Sequence, residues 1–180
     1  MDPAPADAYS MLAMALHLER SYAEAAKVMQ LALERFAPGT EPWGRFTVQL
    51  VHMLASGNGK YTRPRPECTQ VPGLAPPWLT NFGKQLEMAK RCTEAAPDNV
   101  MCWHWRASVH AMAGPKSAEA AMCWRRAADV VLSGANSSID GLPHMADFAG
   151  RCRGWADEAE SGVGEGPWPG GVWRDDLMPY

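Results

Sequence analysis

No run in this chain approaches the ~18 to 20 apolar residues of a membrane span, so insertion into a bilayer is not expected. The opening residues, MDPAPADAYS, carry Asp2 and no basic region. They do not read as a secretory signal, and an Arg- and Ser-rich transit peptide fits equally badly. The expected compartment is intracellular, with the cytoplasm ahead of an organelle. Basic charge is also scarce. The net charge is −3 and the pI near 5.9, whereas a phosphate-binding surface needs clustered Lys and Arg. Nucleic acid is therefore not an expected partner. The densest basic cluster, Lys60, Arg63 and Arg65, lies in a proline-rich stretch and reads as a solvated loop.

Cysteine pairs at metal or redox spacing are missing too. Five cysteines (Cys68, Cys92, Cys102, Cys123 and Cys152) form no CxxC, and their number is odd. That argues against a disulfide framework or a structural zinc site. Four of them fall in helical patterns, where a reduced thiol acts as a small hydrophobe. GNGK at 57–60 is too short for a phosphate loop and follows a helix instead of a strand. SGVGEG at 161–166 resembles a nucleotide loop in composition only. No carboxylate pair stands out from scattered acids such as Glu34, Glu94 and Glu119. The expectation is a non-enzyme with no cofactor and no metal.

What the chain does contain is helical periodicity. With 180 residues and 47% hydrophobic residues, one domain with a sizeable core is the default. Ala25, Met29 and Ala32, followed by Pro38, form a small–large–small face, and Ala120, Trp124 and Ala127 form another. An aromatic opens a helix upstream of each: Tyr9 before the first, Trp103 before the second. The apolar spacing predicts helices over about 6–19, 21–36, 41–56, 79–95, 99–113, 117–132 and 143–160. Ser21 with Glu24 has the pattern of a capping box. Pro38–Gly39, Asn58–Gly59 and Gly114–Pro115 mark stops and turns, and Pro143 suits a helix start. Residues 57–78 are too rich in Gly and Pro for a helix interior and interrupt the pattern as an insertion. Residues 161–180 form an irregular tail. The last helix carries Phe148, Cys152 and Trp155 on one face and charges on the other, as a capping helix needs.

Trp43 lies 34 residues after Tyr9, the period of a known helical repeat. The pattern Tyr9, Ala13, Leu16, Ala25, Met29, Ala32, Pro38 resembles the tetratricopeptide repeat family, as does Trp103, Ala107, His110, Ala120, Trp124, Ala127. The middle unit matches through Trp43, Phe46 and Leu50, then Ala89, Cys92 and Pro97, with Gln85 where a small residue is expected. The resemblance covers roughly residues 6–132. MAGPKSAEAAMCWRRAADV and MADFAGRCRGWADEAE also look like repeat regions of divergent algal and protist proteins of unassigned function. Some of those carry a MYND-type zinc finger, whose Cys and His pattern is not supplied here.

The resemblance implies an all-α fold over residues 6–160: a right-handed stack of about three irregular helical hairpins with a C-terminal capping helix. It further implies a concave groove, lined by the first helix of each pair, that binds a peptide or partner protein. By the family's register the lining residues are Ser10, Met14 and His17; Arg45, Val48 and His52; and Met101, His104, Trp105 and Ser108. Members that hold acidic C-terminal tails use several Lys, Arg and Asn side chains at these places. This chain offers Arg45 as its one groove cation, and its Met-rich groove suits an apolar segment better.

The histidines do not form a metal cluster by spacing, because Cys102 and His104 are roughly 200° apart on a helix. Of the eight tryptophans, Trp43, Trp103 and Trp124 take repeat packing positions, and Trp155 joins the capping stripe. Trp78 is expected to pack back onto the body. Trp168 and Trp173 in the tail either pack back or contact a partner. The functional expectation is a non-catalytic scaffold or adaptor with a protein or peptide partner. One alternative is a structural subunit of a large complex, anchored through the insertion and tail. Another is a metal- or cofactor-binding helical enzyme built on the His and Cys residues.

Overall fold

The structure is a computed structural model, and it describes residues 6–55, 64–112, 117–134 and 145–161. These residues form an all-α fold whose helices pack in neighbouring pairs. The helices are α1 (Ala6–Leu18), α2 (Tyr22–Leu33), α3 (Glu41–Leu54), α4 (Pro66–Thr69), α5 (Phe82–Ala95), α6 (Val100–Met112), α7 (Ala118–Leu132) and α8 (Met145–Ser161), with a 3₁₀ turn at Pro77–Thr80 before α5. α1 packs on α2, α3 on α5, and α6 on α7 as three hairpins. Contacts between α2 and α3 and between α5 and α6 join successive hairpins, and α8 covers α7. The first helices also meet directly, α1 with α3 and α3 with α6. The predicted Asn58–Gly59 stop, Gly114–Pro115 turn, Pro143 start and the tail tryptophans Trp168 and Trp173 lie outside the described residues.

The small residues at the predicted spacing are what allow close helix approach. Ala25, Met29, Ala32, Ala120, Trp124 and Ala127 are all fully buried. Gly44 in α3 shows how tight the contact with α5 is. A Cβ there would stand 3.1 Å from the Ala95 Cβ, 3.2 Å from the Ala96 Cβ and 3.2 Å from the Cys92 carbonyl oxygen. The buried apolar residues fall into two clusters that meet at α6, one running from α1 through α6 and the other filling the space between α6, α7 and α8.

The repeat is also visible in its aromatic positions. Arg91 stacks on Trp43 at 5.0 Å, and Arg126 lies 6.0 Å from the Trp103 ring centroid. Each arginine immediately precedes a small buried residue of the second helix, Cys92 or Ala127. The same place in the first hairpin holds Leu31, which is exposed, and Arg35 one turn later takes over the ring of Tyr9 at 5.2 Å.

Local details depart from expectation in several places. Ser21 makes no side-chain cap, so the expected capping box is absent; Glu24 pairs instead with Lys27 at 2.7 Å. Helix capping by a side chain occurs at Asn81, which accepts from Lys84 N–H, and at Ser117, which accepts from Ala120 N–H. Trp103 is partly exposed and donates its indole N–H to the Pro97 carbonyl at 2.7 Å, so it is not a core residue.

The insertion is folded onto the body. From Pro64 onward it contains α4, with Cys68 and Leu74 buried, and it runs into the 3₁₀ turn, where Leu79 is buried. α4 packs on α2 and the 3₁₀ turn on α5, so the segment bridges the second helices of the first two hairpins. Gln30 of α2 holds it by donating to the carbonyls of Gly73 and Leu74. Trp78 packs back as expected, 6.2 Å from the Trp105 ring. Arg65, expected in a solvated loop, is buried. Pro64 and Pro66 on either side restrict the backbone at this point. Its Nε donates to the Met53 carbonyl at 3.1 Å, and its guanidinium lies 3.7 Å over the Tyr22 ring.

Candidate functional site

The face expected to bind a partner is built where the first helices run side by side. Tyr9, Trp43 and Trp103 hold equivalent places in α1, α3 and α6, and the polar contacts between helices follow that register. Asp7 of α1 reaches Arg45 of α3 at 3.5 Å, and Glu41 lies 4.0 Å from the same guanidinium. Ser10 donates to the Gln49 side-chain oxygen at 3.0 Å. Further along both helices, the rings of His17 and His52 are 5.4 Å apart, and Tyr22 meets His17 edge-on at 5.1 Å. Arg65 closes this end through Tyr22.

The predicted lining residues separate into two groups. Met14, Arg45, His52 and Met101 reach the surface in part, and Ser10 does likewise. His17, Val48, His104, Trp105 and Ser108 are buried, so their expected place on an open groove is corrected to the interior. His104 is enclosed by Trp124 at 4.8 Å, Phe148 at 5.6 Å and Trp155 at 6.0 Å, two of these rings coming from α8. Ser108 donates back to the His104 carbonyl within α6. Trp105, expected to line the groove, is covered by Trp78.

Burial sets the protonation of this region. Desolvation, with His17 and Arg65 nearby, lowers the His52 pKa to about 3. Desolvation also takes His104 to about 3, with His52 and Arg151 adding in the same direction. Both rings are neutral at physiological pH. The thiols move the other way: burial pushes Cys123 up to about 11 and Cys152 up to about 12. A hydrogen bond with Cys92 raises Cys102 well above its ordinary value. All five cysteines are reduced and buried, a setting that withholds the thiolate a nucleophile needs. Among the described residues no three His, Cys, Asp or Glu side chains are placed to share a metal ion, and no helix is long and apolar enough to cross a membrane.

Arg45 is already engaged by two carboxylates, Asp7 and Glu41, which leaves it poorly placed to capture a partner's carboxylate. Arg65, Tyr22 and Gln49 shape this face and were not singled out by spacing. An Arg locked between two prolines is a signal that could have marked Arg65 as a fixed, non-loop residue. Compared with known proteins, the chain matches no family model, no curated protein and no solved structure.

Proposed function

We propose that the protein is a non-catalytic interaction scaffold that binds an apolar segment of a protein partner across the face shared by α1, α3 and α6. The observation that supports this reading is the direct side-by-side contact of these three helices, with Met14, Arg45, His52 and Met101 all partly at the surface. Methionine adapts its shape to varied apolar partners, and neutral His52 adds no charge that would repel them. The net charge of −3 fits a protein partner better than nucleic acid. Assembly into a larger complex is compatible with this role. Anchoring through the insertion is less favoured, because Cys68, Leu74, Leu79 and Trp78 serve the fold itself.

The test uses Met14→Lys with Met101→Lys, two substitutions of partly exposed side chains. Proteins that co-purify with the wild type from its native source are identified, and the binding of the purified partner to the double variant is measured. Loss of at least about tenfold in affinity, with unchanged circular dichroism, is expected. Unchanged affinity in a folded variant refutes the reading.

A further inference from the structure

Two of the first helices, α3 and α6, show which of their faces meets the preceding hairpin. In α3 that face is Pro42, Arg45, Gln49 and His52, and the last three contact Asp7, Ser10 and His17 of α1. In α6 the equivalent residues are Cys102, Trp105, Val109 and Met112. Cys102 donates its thiol to the Gly44 carbonyl of α3 at 3.8 Å, and Trp105 packs on Trp78. In α1 the same register gives Ala8, Met11, Ala15 and Leu18, with Leu12 beside them. Every one of these five is exposed, Met11 to 73% and Leu18 to 67%. A repeat stack needs a polar outer face at its ends. α8 supplies one at the far end, with Asp147 and Arg153 exposed and Asp157 and Glu160 held at its edge by Arg125 of α7, whereas α1 presents an apolar stripe.

We propose that this α1 stripe is the pairing surface for a second copy of the chain, the two α1 helices lying antiparallel about a twofold axis level with Ala13. The charged outer face of α8 is a poor match for the stripe, which disfavours head-to-tail stacking and leaves the face-to-face arrangement. The stripe complements itself in size when reversed. Antiparallel pairing sets Ala8 against Leu18 of the second copy and Met11 against Ala15 of the second copy, so each of these two large side chains meets a small one, while Leu12 flanks the seam. The helix dipoles also oppose each other in that orientation. Asp7 does not obstruct the contact, because its carboxylate turns toward Arg45. The surface is distinct from the partner-binding face proposed above, so dimerisation and partner binding are separable.

Light scattering coupled to size exclusion, on the full chain at ~50 µM, reads the outcome. The wild type is expected at twice 19.7 kDa, and Met11→Lys and Leu18→Glu at the monomer mass with unchanged helical signal. Mixing Met11→Lys with Ala15→Glu is expected to restore a dimer, because the antiparallel register places the new charges opposite one another. A monomeric wild type, assembly beyond a dimer, or a dimer that neither variant weakens overturns the proposal. So does a Met11→Cys variant that is monomeric and resists labelling at that position, since the stripe is then covered by the chain itself.

Discussion

Acidification should destabilise this protein well before its carboxylates protonate. His52 and His104 each have an unfolded-state pKa of 6.5 and a folded-state pKa of about 3. Between those values the unfolded chain binds more protons than the folded one, so stability is full above pH 6.5 and falls as the pH drops towards 3. Each histidine loses about 1.4 kcal/mol per pH unit inside that window, so going from pH 7 to pH 5 costs about 2 kcal/mol per site. The two together remove about 4 kcal/mol from a total that for a domain of this kind is about 5–15 kcal/mol. His110, whose pKa burial also lowers, steepens the same slope. Glu160, held below its ordinary range by its hydrogen bond to Arg125, acts at lower pH and leaves this window clear. Urea unfolding followed by circular dichroism at pH 7 and pH 5 measures the loss directly. His104→Phe keeps a ring among Trp124, Phe148 and Trp155 while removing one titrating group, and should recover about 2 kcal/mol of the loss. Equal stability at the two pH values, or an unchanged slope in His104→Phe, refutes the reading that desolvated neutral imidazoles set the acid limit of this fold.

Two further substitutions probe packing. Gly44→Ala forces a Cβ to within 3.1–3.2 Å of Ala95, Ala96 and the Cys92 carbonyl; overpacking there should cost about 1–3 kcal/mol in denaturant unfolding, and a neutral result would mean that α3 and α5 can separate freely. Trp105→Ala should act as a core deletion, lowering stability by about 3–5 kcal/mol, and a variant of wild-type stability would return Trp105 to the surface role its spacing suggested.

Helices were legible in the linear pattern because their signal is local. The 3.6-residue period placed α3 and α7 within two residues of their observed ends, and the alanine triplets marked where helices approach. Helix ends were less secure. Ser21 and Glu24 have the letters of a capping box, yet Glu24 is within reach of Lys27 and takes that partner instead. The candidate face was half legible. Met14, Arg45, His52 and Met101 stand partly at the surface where the expected register puts them, but His17, Val48, His104, Trp105 and Ser108 do not. What covers His104 and Trp105 comes from far along the chain, from α8 and from the end of the insertion, and no local period encodes such meetings.

The amino-acid order alone determined an all-α chain of paired helices, because apolar periodicity, small residues at contact spacing and proline–glycine breaks act over a few residues at a time. Tertiary structure decided which face of each helix is covered. It carried the insertion back across α2 and α5, sealed Trp105 beneath Trp78, and buried Arg65 against Tyr22. It also left the α1 stripe open, because a face is buried only when another element arrives to cover it, and among the described residues none reaches that side of α1.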